Sequence, residues 1–153
     1  MLKKKIYIAC DHAGFELKGK LIDLLETLGY VIEDMGAHSY NEADDYPDFI
    51  SLASREVSTD PENSRGIIIG GSGQGEAMVA NRFPNVRADV YYGGNLDSIK
   101  LARQHNDANI LSLGARFMSV EEAQGALKLW LETPLSGDER HVRRIKKIED
   151  LKK

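Results

Sequence analysis

Short apolar runs alternate with longer segments of helical periodicity along this chain. The runs, each bounded by turn residues, cover positions 6–10, 30–32, 66–69, 88–92 and 110–113. Continuous apolar runs of this length are typical of strands that are buried on both faces of a parallel sheet. The pattern therefore predicts five β-strands in one sheet.

Helical patterns fill the intervals between these runs. Five leucines share one helix face, at positions 17, 21, 24, 25 and 28, and Gly29 stands where that helix should end. Pro47 occupies a favourable first position for a second helix. Two sequences typical of capping boxes, at 119–122 and 136–139, predict the starts of the last two helices, the final one at about 137–151.

The alternation of strands and helices favours an α/β fold of three layers, αβα. In this fold an open, doubly wound, five-stranded parallel sheet of the Rossmann-like kind carries helices on both faces. A chain of 153 residues suffices for one such unit, so we predict a single domain over 1–153. The lone cysteine, Cys10, excludes a disulfide within the chain and is predicted to be a small buried hydrophobe.

Composition and charge narrow the range of partners. No apolar run approaches the roughly 20 residues of a membrane span, and the run after the basic N-terminus is too short for a signal peptide. We therefore predict a cytoplasmic protein with no membrane partner. The formal net charge of -4 argues against nucleic acid as a partner of the whole chain, although basic residues concentrate from Arg140 to Lys153 and favour an anion there.

Ligands of open parallel sheets bind at the carboxyl ends of the strands. Asp11 and His12 follow the first predicted strand, and the sequence Gly-Gly-Ser-Gly-Gln-Gly-Glu at 70–76 follows the third. Glycines in such a loop let successive backbone N–H groups approach an anion or an oxyanion. Glu76 breaks the dinucleotide-binding fingerprint and stands where a phosphate-binding P-loop requires lysine.

An oxyanion-stabilising loop with a carboxylate at its exit is suited to removing a proton next to a carbonyl group. Glu76 is therefore the candidate base, although an acidic residue is also favourable in the first turn of any helix. Ser72 either donates a hydrogen bond to a substrate oxygen or caps that helix. The sequence leaves both alternatives open.

Two further histidine positions have structural as well as chemical interpretations. Asp11 and His12 either exchange protons with sugar hydroxyls or form a helix cap followed by a surface imidazole. His105 stands at the end of a helix predicted over 96–104, where a histidine is usually structural. The sequence contains no histidine or cysteine pattern of a transition-metal site, so we predict none.

The last predicted helix carries two candidate phosphate ligands. Arg140 and Arg144 are four residues apart, which puts both guanidinium groups on one helix face within reach of a single phosphate. The alternative is a solvated basic face. An apolar stripe, formed by Val142, Ile145, Ile148 and Leu151, is predicted to hold this helix against the rest of the chain.

Taken together, these motifs resemble the ribose-5-phosphate isomerase B family, which also includes the galactose-6-phosphate isomerase subunits. The matching segments are 9–15 (Ala-Cys-Asp-His-Ala-Gly-Phe), 45–47 (Asp-Tyr-Pro), 70–76, 80–82 (Ala-Asn-Arg), 102–109 (Ala-Arg-Gln-His-Asn-Asp-Ala-Asn), 114–116 (Gly-Ala-Arg) and 140–144. They occur in order over nearly the whole chain.

The resemblance implies interconversion of ribose 5-phosphate and ribulose 5-phosphate through an enediolate, without a metal or an organic cofactor. It implies that His105 opens the furanose ring, that Glu76 carries the proton between two carbons, and that Asp11 moves protons between two oxygens. The resemblance also implies that Ser72 and the amides of Gly71, Gly73, Gln74 and Gly75 stabilise the enediolate oxygen, that Asn106 binds a sugar hydroxyl and that Tyr46 lines the pocket. The residues implied to hold the phosphate or to steer the substrate are His12, Arg116, Arg140 and Arg144.

The chain departs from the commoner family pattern at one position. Many members carry a cysteine base at the end of the third strand, where this chain has Gly70. A second branch of the family uses a glutamate at the loop exit, and Glu76 fits that branch. Family members are homodimers that share active sites between subunits, so contacts from a partner chain are expected, and association of two dimers is left open.

Three alternatives remain at this level. The substrate is another sugar phosphate (allose 6-phosphate, galactose 6-phosphate or a tetrulose phosphate), or the chain is a non-catalytic sugar-phosphate sensor. The presence of both Glu76 and His105 argues against a sensor. A nucleic-acid-binding module rests only on the basic C-terminal segment, and its binding would weaken steeply with salt.

Overall fold

The structure, a computed structural model, describes residues 2–151 as five strands and six α-helices. The strands are β1 Lys5–Cys10, β2 Ile32–Asp34, β3 Ser64–Gly70, β4 Ala88–Tyr91 and β5 Ile110–Gly114. The helices are α1 Phe15–Thr27, α2 Tyr46–Thr59, α3 Gln74–Ala80, α4 Asp97–Asn106, α5 Val120–Glu132 and α6 Glu139–Glu149. Lys152 and Lys153 of the predicted basic segment lie outside the described residues.

All five strands pair in parallel, in the order β2-β1-β3-β5-β4. The chain moves from β1 to one side of the sheet and then crosses to β3 on the other, so the strand order reverses between β1 and β3. A crevice for a ligand forms at the carboxyl ends of the strands at such a point. The predicted three-layer, doubly wound fold is confirmed.

Two apolar cores flank the sheet. On one face, β1, β3 and β5 pack against α1, α4 and α5, with Trp130 fully buried. On the other face, α2 and α3 cover Ala9, Ile68 and Ile110. Cys10 is buried as predicted, and burial raises the pKa of its thiol to about 11, so the group stays protonated and behaves as a small hydrophobe.

The two edge strands differ from the prediction. β2 begins at Ile32, two residues later than predicted, because the backbone N–H of Tyr30 donates to the carbonyl of Leu25 and closes the end of α1 instead of pairing in the sheet. Gly29, with φ +77°, makes this helix end possible. β2 and most of β4 are only partly buried, so the expectation of burial on both faces holds for the inner strands alone.

One predicted capping box is confirmed and the other is wrong. The Ser119 hydroxyl accepts a hydrogen bond from the amide of Glu122, whose carboxylate accepts one from the amide of Ser119. At the second site, Gly137 has φ +78°, a left-handed conformation that a first helical turn excludes. α6 therefore begins two residues later than a box at Ser136 requires, with Asp138 preceding it and making no side-chain cap.

The apolar stripe on α6 does not hold this helix against the rest of the chain. Val142, Ile148 and Leu151 are 47%, 41% and 69% exposed. Instead, α6 contacts the rest of the chain through His141, which is buried against α4, and through an ion pair between Glu149 and Arg87. The prediction for the stripe is wrong within a single chain, because the hydrophobic period alone does not say which surface a helix face meets.

Among residues 2–151, no helix combines the length and the apolar character needed to cross a bilayer.

The difference between the two predicted caps is measurable. Ser119→Ala should lower the free energy of unfolding by about 1 kcal/mol, because the amide of Glu122 loses its acceptor. Denaturant unfolding monitored by circular dichroism measures this loss. Ser136→Ala is the matched control and should cost clearly less, and equal losses would contradict the assignment of the caps.

Candidate active site

The loop after β3 is anchored at the carboxyl edge of the sheet. Gly73 has φ +77°, and its carbonyl accepts a hydrogen bond from the Ser112 hydroxyl on β5, with 2.6 Å between the oxygens. The carbonyl of Gly71 accepts a hydrogen bond from the amide of Arg116 at 3.1 Å. These two bonds tie the loop to β5 and to the turn that follows it, so its backbone presents a fixed surface.

Glu76 lies in the first turn of α3 and folds back over the end of β3. The residue is only 4% exposed. A Cβ atom on Gly70 would lie 1.7 Å from its Oε1 atom, far inside van der Waals contact. The carboxylate therefore occupies the space that any side chain at position 70 would need, which explains the departure at Gly70 in physical terms.

Burial raises the pKa of Glu76 above its ordinary value, and the negative charge of Asp11 raises it further. The backbone amides of Glu76 and Gly73 oppose this shift. A carboxylate whose pKa moves toward the working pH both accepts and returns a proton more readily. The environment of Glu76 thus differs from that of an exposed helix-terminal charge, and its role as the base stays a prediction.

Asp11 follows β1 and lies near Glu76. It is buried, and its Oδ1 atom accepts hydrogen bonds from the amides of Ala13 at 2.9 Å and Gly14 at 3.3 Å. The interpretation of Asp11 as the cap of a short helical turn, His12–Gly14, is therefore confirmed. The same contacts fix its carboxylate at the crevice, where its charge acts on Glu76.

His12 is half-buried and paired with a residue that the sequence analysis missed. Its Nδ1 atom lies 2.7 Å from Oδ1 of Asp44, which also accepts the amide of His12 at 3.1 Å. A carboxylate beside Nδ1 favours a proton on that nitrogen and fixes the orientation of the ring. No local pattern signals this pair, because its members stand 32 positions apart.

Asp11, His12 and Asp44 together form a group that could hold a metal ion. Ligand atoms of Asp11, His12 and Asp44 lie within 4.8 Å of one another, and Oδ2 of Asp44 is buried without a hydrogen bond among the described residues. A carboxylate-rich set with one imidazole suits a hard or borderline divalent cation. The expectation of a metal-free site therefore remains a prediction.

Tyr46 and Arg116 complete the wall around the glycine loop. A Cβ atom on Gly75 would lie 2.5 Å from the Tyr46 hydroxyl, and one on Gly71 would lie 3.1 Å from Nη1 of Arg116. Glycine at both positions therefore lets these polar groups reach the loop backbone. Ser72 accepts a hydrogen bond from the amide of Gln74 at 3.3 Å, a contact typical of a turn, and is half-buried.

A second cluster of predicted residues forms around the last turn of α4, which extends to Asn106, beyond the predicted end at 104. The rings of His105 and His141 are stacked, with centroids 4.0 Å apart and planes at 10°. Nε of Arg140 lies 3.3 Å from Nε2 of His141. Burial lowers the pKa of His141, and the proximity of His105 and Arg140 lowers it further, which favours the neutral form of this ring.

The topology separates the two clusters within one chain. α4 starts at the carboxyl end of β4 and runs back, so its last turn lies at the amino edge of the sheet. Nε of Arg87, the residue just before β4, donates to the carbonyl of Asn106 at 3.0 Å, which fixes this position. β3, with seven residues, spans about 20 Å.

One chain thus brings some of the predicted site residues together and leaves others apart. Around the carboxyl-edge loop the structure gathers Asp11, His12, Tyr46, Gly71, Ser72, Gly73, Gln74, Gly75, Glu76 and Arg116. His105 and Asn106, with Arg140 and Arg144 on the neighbouring α6, lie with the second cluster. His141, to which the sequence analysis gave no role, is the buried centre of that cluster.

A doubly wound α/β fold with a buried carboxylate over a glycine loop is suited to proton transfer at an oxygen-bearing carbon. Residues 6–148 match the family model described as Ribose/Galactose Isomerase. The chain belongs to this family, and the resemblance stated from its motifs is confirmed.

Curated and solved relatives agree with this assignment. Ribose-5-phosphate isomerase B of Mycolicibacterium paratuberculosis is 41% identical over 141 residues, covering 92% of this chain and 87% of the relative. The crystal structure of ribose-5-phosphate isomerase B from Mycoplasma genitalium with bound ribulose-5-phosphate has a TM-score of 0.92 at 35% identity, covering 97% of this chain and 96% of that one. The Clostridium thermocellum ribose-5-phosphate isomerase B structure has a TM-score of 0.88 at 39% identity, with 95% of each chain covered.

The contact between Gly70 and Glu76 predicts the effect of a single methyl group. In Gly70→Ala the new Cβ atom displaces the carboxylate, so isomerase activity should fall on the order of 100-fold. Steady-state kinetics measures the loss. Gly19→Ala on α1, where the added Cβ meets nothing within 4 Å, is the control and should keep full activity.

The raised pKa of Glu76 predicts a stability effect with a definite sign. Because the folded pKa lies above the unfolded one, ionisation of Glu76 costs stability as pH rises through the folded pKa. Glu76→Gln should therefore unfold at a higher temperature than the native chain at about pH 8, and the difference should vanish near pH 4. Thermal unfolding across this range tests the sign, and a lower melting temperature at about pH 8 would contradict it.

Proposed function

We propose that this protein interconverts ribose 5-phosphate and ribulose 5-phosphate through an enediolate, as a ribose-5-phosphate isomerase of the glutamate-base kind. The observation that carries the proposal is the Glu76 carboxylate, buried over Gly70 beside the glycine loop. The names of the curated relatives and the ribulose-5-phosphate in the Mycoplasma genitalium structure support the choice of substrate.

Glu76 performs the central step in this proposal. In the open-chain aldose, its carboxylate removes the proton from C2, and the electron pair moves to form an enediolate. Protonated Glu76 then returns the proton to C1, which yields the ketose. Backbone amides of the 71–75 loop and the Ser72 hydroxyl stabilise the enediolate oxygen, and Asp11 moves a proton between O1 and O2.

A homodimer completes the site in this proposal. His105 and Asn106 of a second copy reach the carboxyl-edge loop, since the sheet of one chain keeps the two clusters apart. The exposed apolar residues of α6, Val142, Ile148 and Leu151, support such a dimer, because water contact with this stripe is unfavourable.

His105 opens the furanose ring by proton transfer between the ring oxygen and the O1 hydroxyl, and the stacked, neutral His141 holds its ring in place. Asn106 binds a sugar hydroxyl. The phosphate dianion is held by Arg140 and Arg144 of α6, with Arg116 and His12 steering the substrate. Tyr46 lines the cavity. A single functional domain over 1–153, a cytoplasmic location and the absence of a cofactor belong to the same proposal.

The family description names galactose as well as ribose, so isomerisation of galactose 6-phosphate is the second candidate. A panel of pentose and hexose phosphates, assayed for aldose–ketose conversion with and without a chelator, separates the candidates. We expect chelator-resistant turnover that is fastest with ribose 5-phosphate. Preference for a hexose phosphate would favour the second candidate. Loss of activity with the chelator would indicate a required metal, for which Asp11, His12 and Asp44 are the candidate ligands.

Substitution of the base tests the chemistry. Glu76→Gln should lower kcat by about 100-fold or more with little change in KM, because the amide cannot accept the C2 proton. Glu121→Gln, on an exposed first turn of α5, is the matched control and should keep native kinetics. Native kcat in Glu76→Gln would eliminate the proposed base.

Mixing two inactive variants tests the shared site. In a dimer with Glu76→Gln on one chain and His105→Asn on the other, one of the two sites contains both intact groups. Co-refolding equal amounts of the two variants should therefore restore about a quarter of native activity, since half of the dimers are mixed. Absence of recovery, with mixed dimers verified by mass spectrometry, would mean that both groups act within one chain.

A further inference from the structure

A cavity of about 490 Å³ opens at the amino edge of the sheet, at the opposite end of β3 from Glu76. Its walls come from the start of β1, the end of α5 and the segment that follows α5. Basic and apolar side chains line it together, among them Lys4, Arg65, Arg103, Trp130 and Pro134. The proposed isomerase chemistry uses none of these residues.

Positive charge predominates around this cavity. Four basic side chains and two acidic ones line it, the acidic ones being Asp107 and Glu132. Asp107 is shared among three guanidinium groups, those of Arg103 at 2.7 Å, Arg87 at 3.4 Å and Arg65 at 3.8 Å. Arg87 also pairs with Glu149. Arg65 and Arg103 therefore share the single negative charge of Asp107, part of which Arg87 already neutralises.

Both lining arginines keep unused donors although their side chains are more than nine-tenths buried. Arg65 hydrogen-bonds through Nη1 to the carbonyls of Pro61 and Ser64. Its Nη2 lies 3.8 Å from Oδ1 of Asp107, an ion pair too long for a hydrogen bond, and its Nε makes no hydrogen bond among the described residues. Arg103 uses Nε and Nη1, and its Nη2 makes none. Both arginines line the cavity, so these nitrogens are the donors that they can offer to a ligand bound there.

The local electrostatics supports the same view. Burial and the charges of Arg103 and Arg87 lower the pKa of Arg65 to about 10, and burial together with Arg65 lowers the pKa of Lys4. The carboxylates of Asp107 and Glu62 oppose both shifts only in part. Buried cations without matching anions are unfavourable. A bound anion would offset that cost and would accept charge-assisted hydrogen bonds from the free guanidinium nitrogens.

We propose that this cavity binds a phosphate monoester with an apolar body. A phosphate dianion matches the shortage of negative charge and the forked donors of the two arginines. The cavity is larger than a phosphate ion alone needs and lies within the range of organic ligand sites. The apolar part of its wall, which includes Leu131, Pro134 and Leu135, favours an apolar group over a sugar.

The only tryptophan of the chain gives this site its own reporter. Trp130 lines the cavity, and the Arg103 guanidinium lies 5.4 Å from the centre of its ring. Binding of an anion by Arg103 should change the fluorescence of Trp130. The full chain is titrated at constant ionic strength with inorganic phosphate, phenyl phosphate and ribose 5-phosphate, and calorimetry counts the sites.

We expect a saturable fluorescence change with phenyl phosphate, at least about tenfold tighter than with inorganic phosphate or ribose 5-phosphate. Equal affinity for phenyl phosphate and inorganic phosphate would overturn the apolar specificity, and the absence of any saturable change would overturn the site. Because fluorescence reports on this cavity, the result does not depend on whether the chain isomerises ribose 5-phosphate.

Two charge-removing variants locate the binding. Arg65→Met should weaken phenyl phosphate binding by about tenfold or more, whereas Arg55→Met, at an exposed position on α2, should change it less than twofold. Should Arg65→Met fail to fold, Lys4→Met at the half-buried cavity rim replaces it, with a smaller expected loss. Native affinity in the folded cavity variant, or equal losses in both arginine variants, would contradict the proposal.

Discussion

The close contact between the Glu76 carboxylate and the backbone of Gly70 is the constraint on which the site depends. The first turn of α3 directs this side chain back over the end of β3, and only a residue without a Cβ atom leaves room for it. The same contact excludes water, which raises the pKa of Glu76 and makes it a better base. Position and basicity thus have one origin. A cysteine side chain at position 70 would occupy the space that the Glu76 carboxylate fills, so the two groups cannot both be present in this geometry.

Parallel topology imposes the second constraint. Every crossover helix starts at the carboxyl edge of the sheet and ends at the amino edge, so residues at opposite helix ends cannot share a site in one chain. Glu76 stands at the start of α3 and His105 at the end of α4. The proposed dimer resolves this separation, and two-fold symmetry would create two equal sites from two incomplete ones. The amino edge is also where the surplus of guanidinium groups around Asp107 lies.

Much of the fold was predictable because its signals are local. Apolar runs located all five strands, and the box at Ser119 located the start of α5. The errors arose where a local pattern met a backbone conformation that it does not encode. Gly137 adopts a left-handed conformation that delays α6, and the amide of Tyr30 is used to close α1. On α6, hydrophobic periodicity identified an apolar face but could not indicate whether its own chain covers it.

By itself, the sequence determined the order of the elements, the loop that places Glu76 after a glycine turn, and the family to which the motifs point. Tertiary structure alone decided the pairing of His12 with Asp44, the stacking of His141 under His105, and the amino-edge cavity. The physical reason is the distance along the chain over which each kind of interaction acts. Propensity, capping and periodicity act over a few residues, whereas contacts between remote residues follow from strand order and register, which no local pattern specifies.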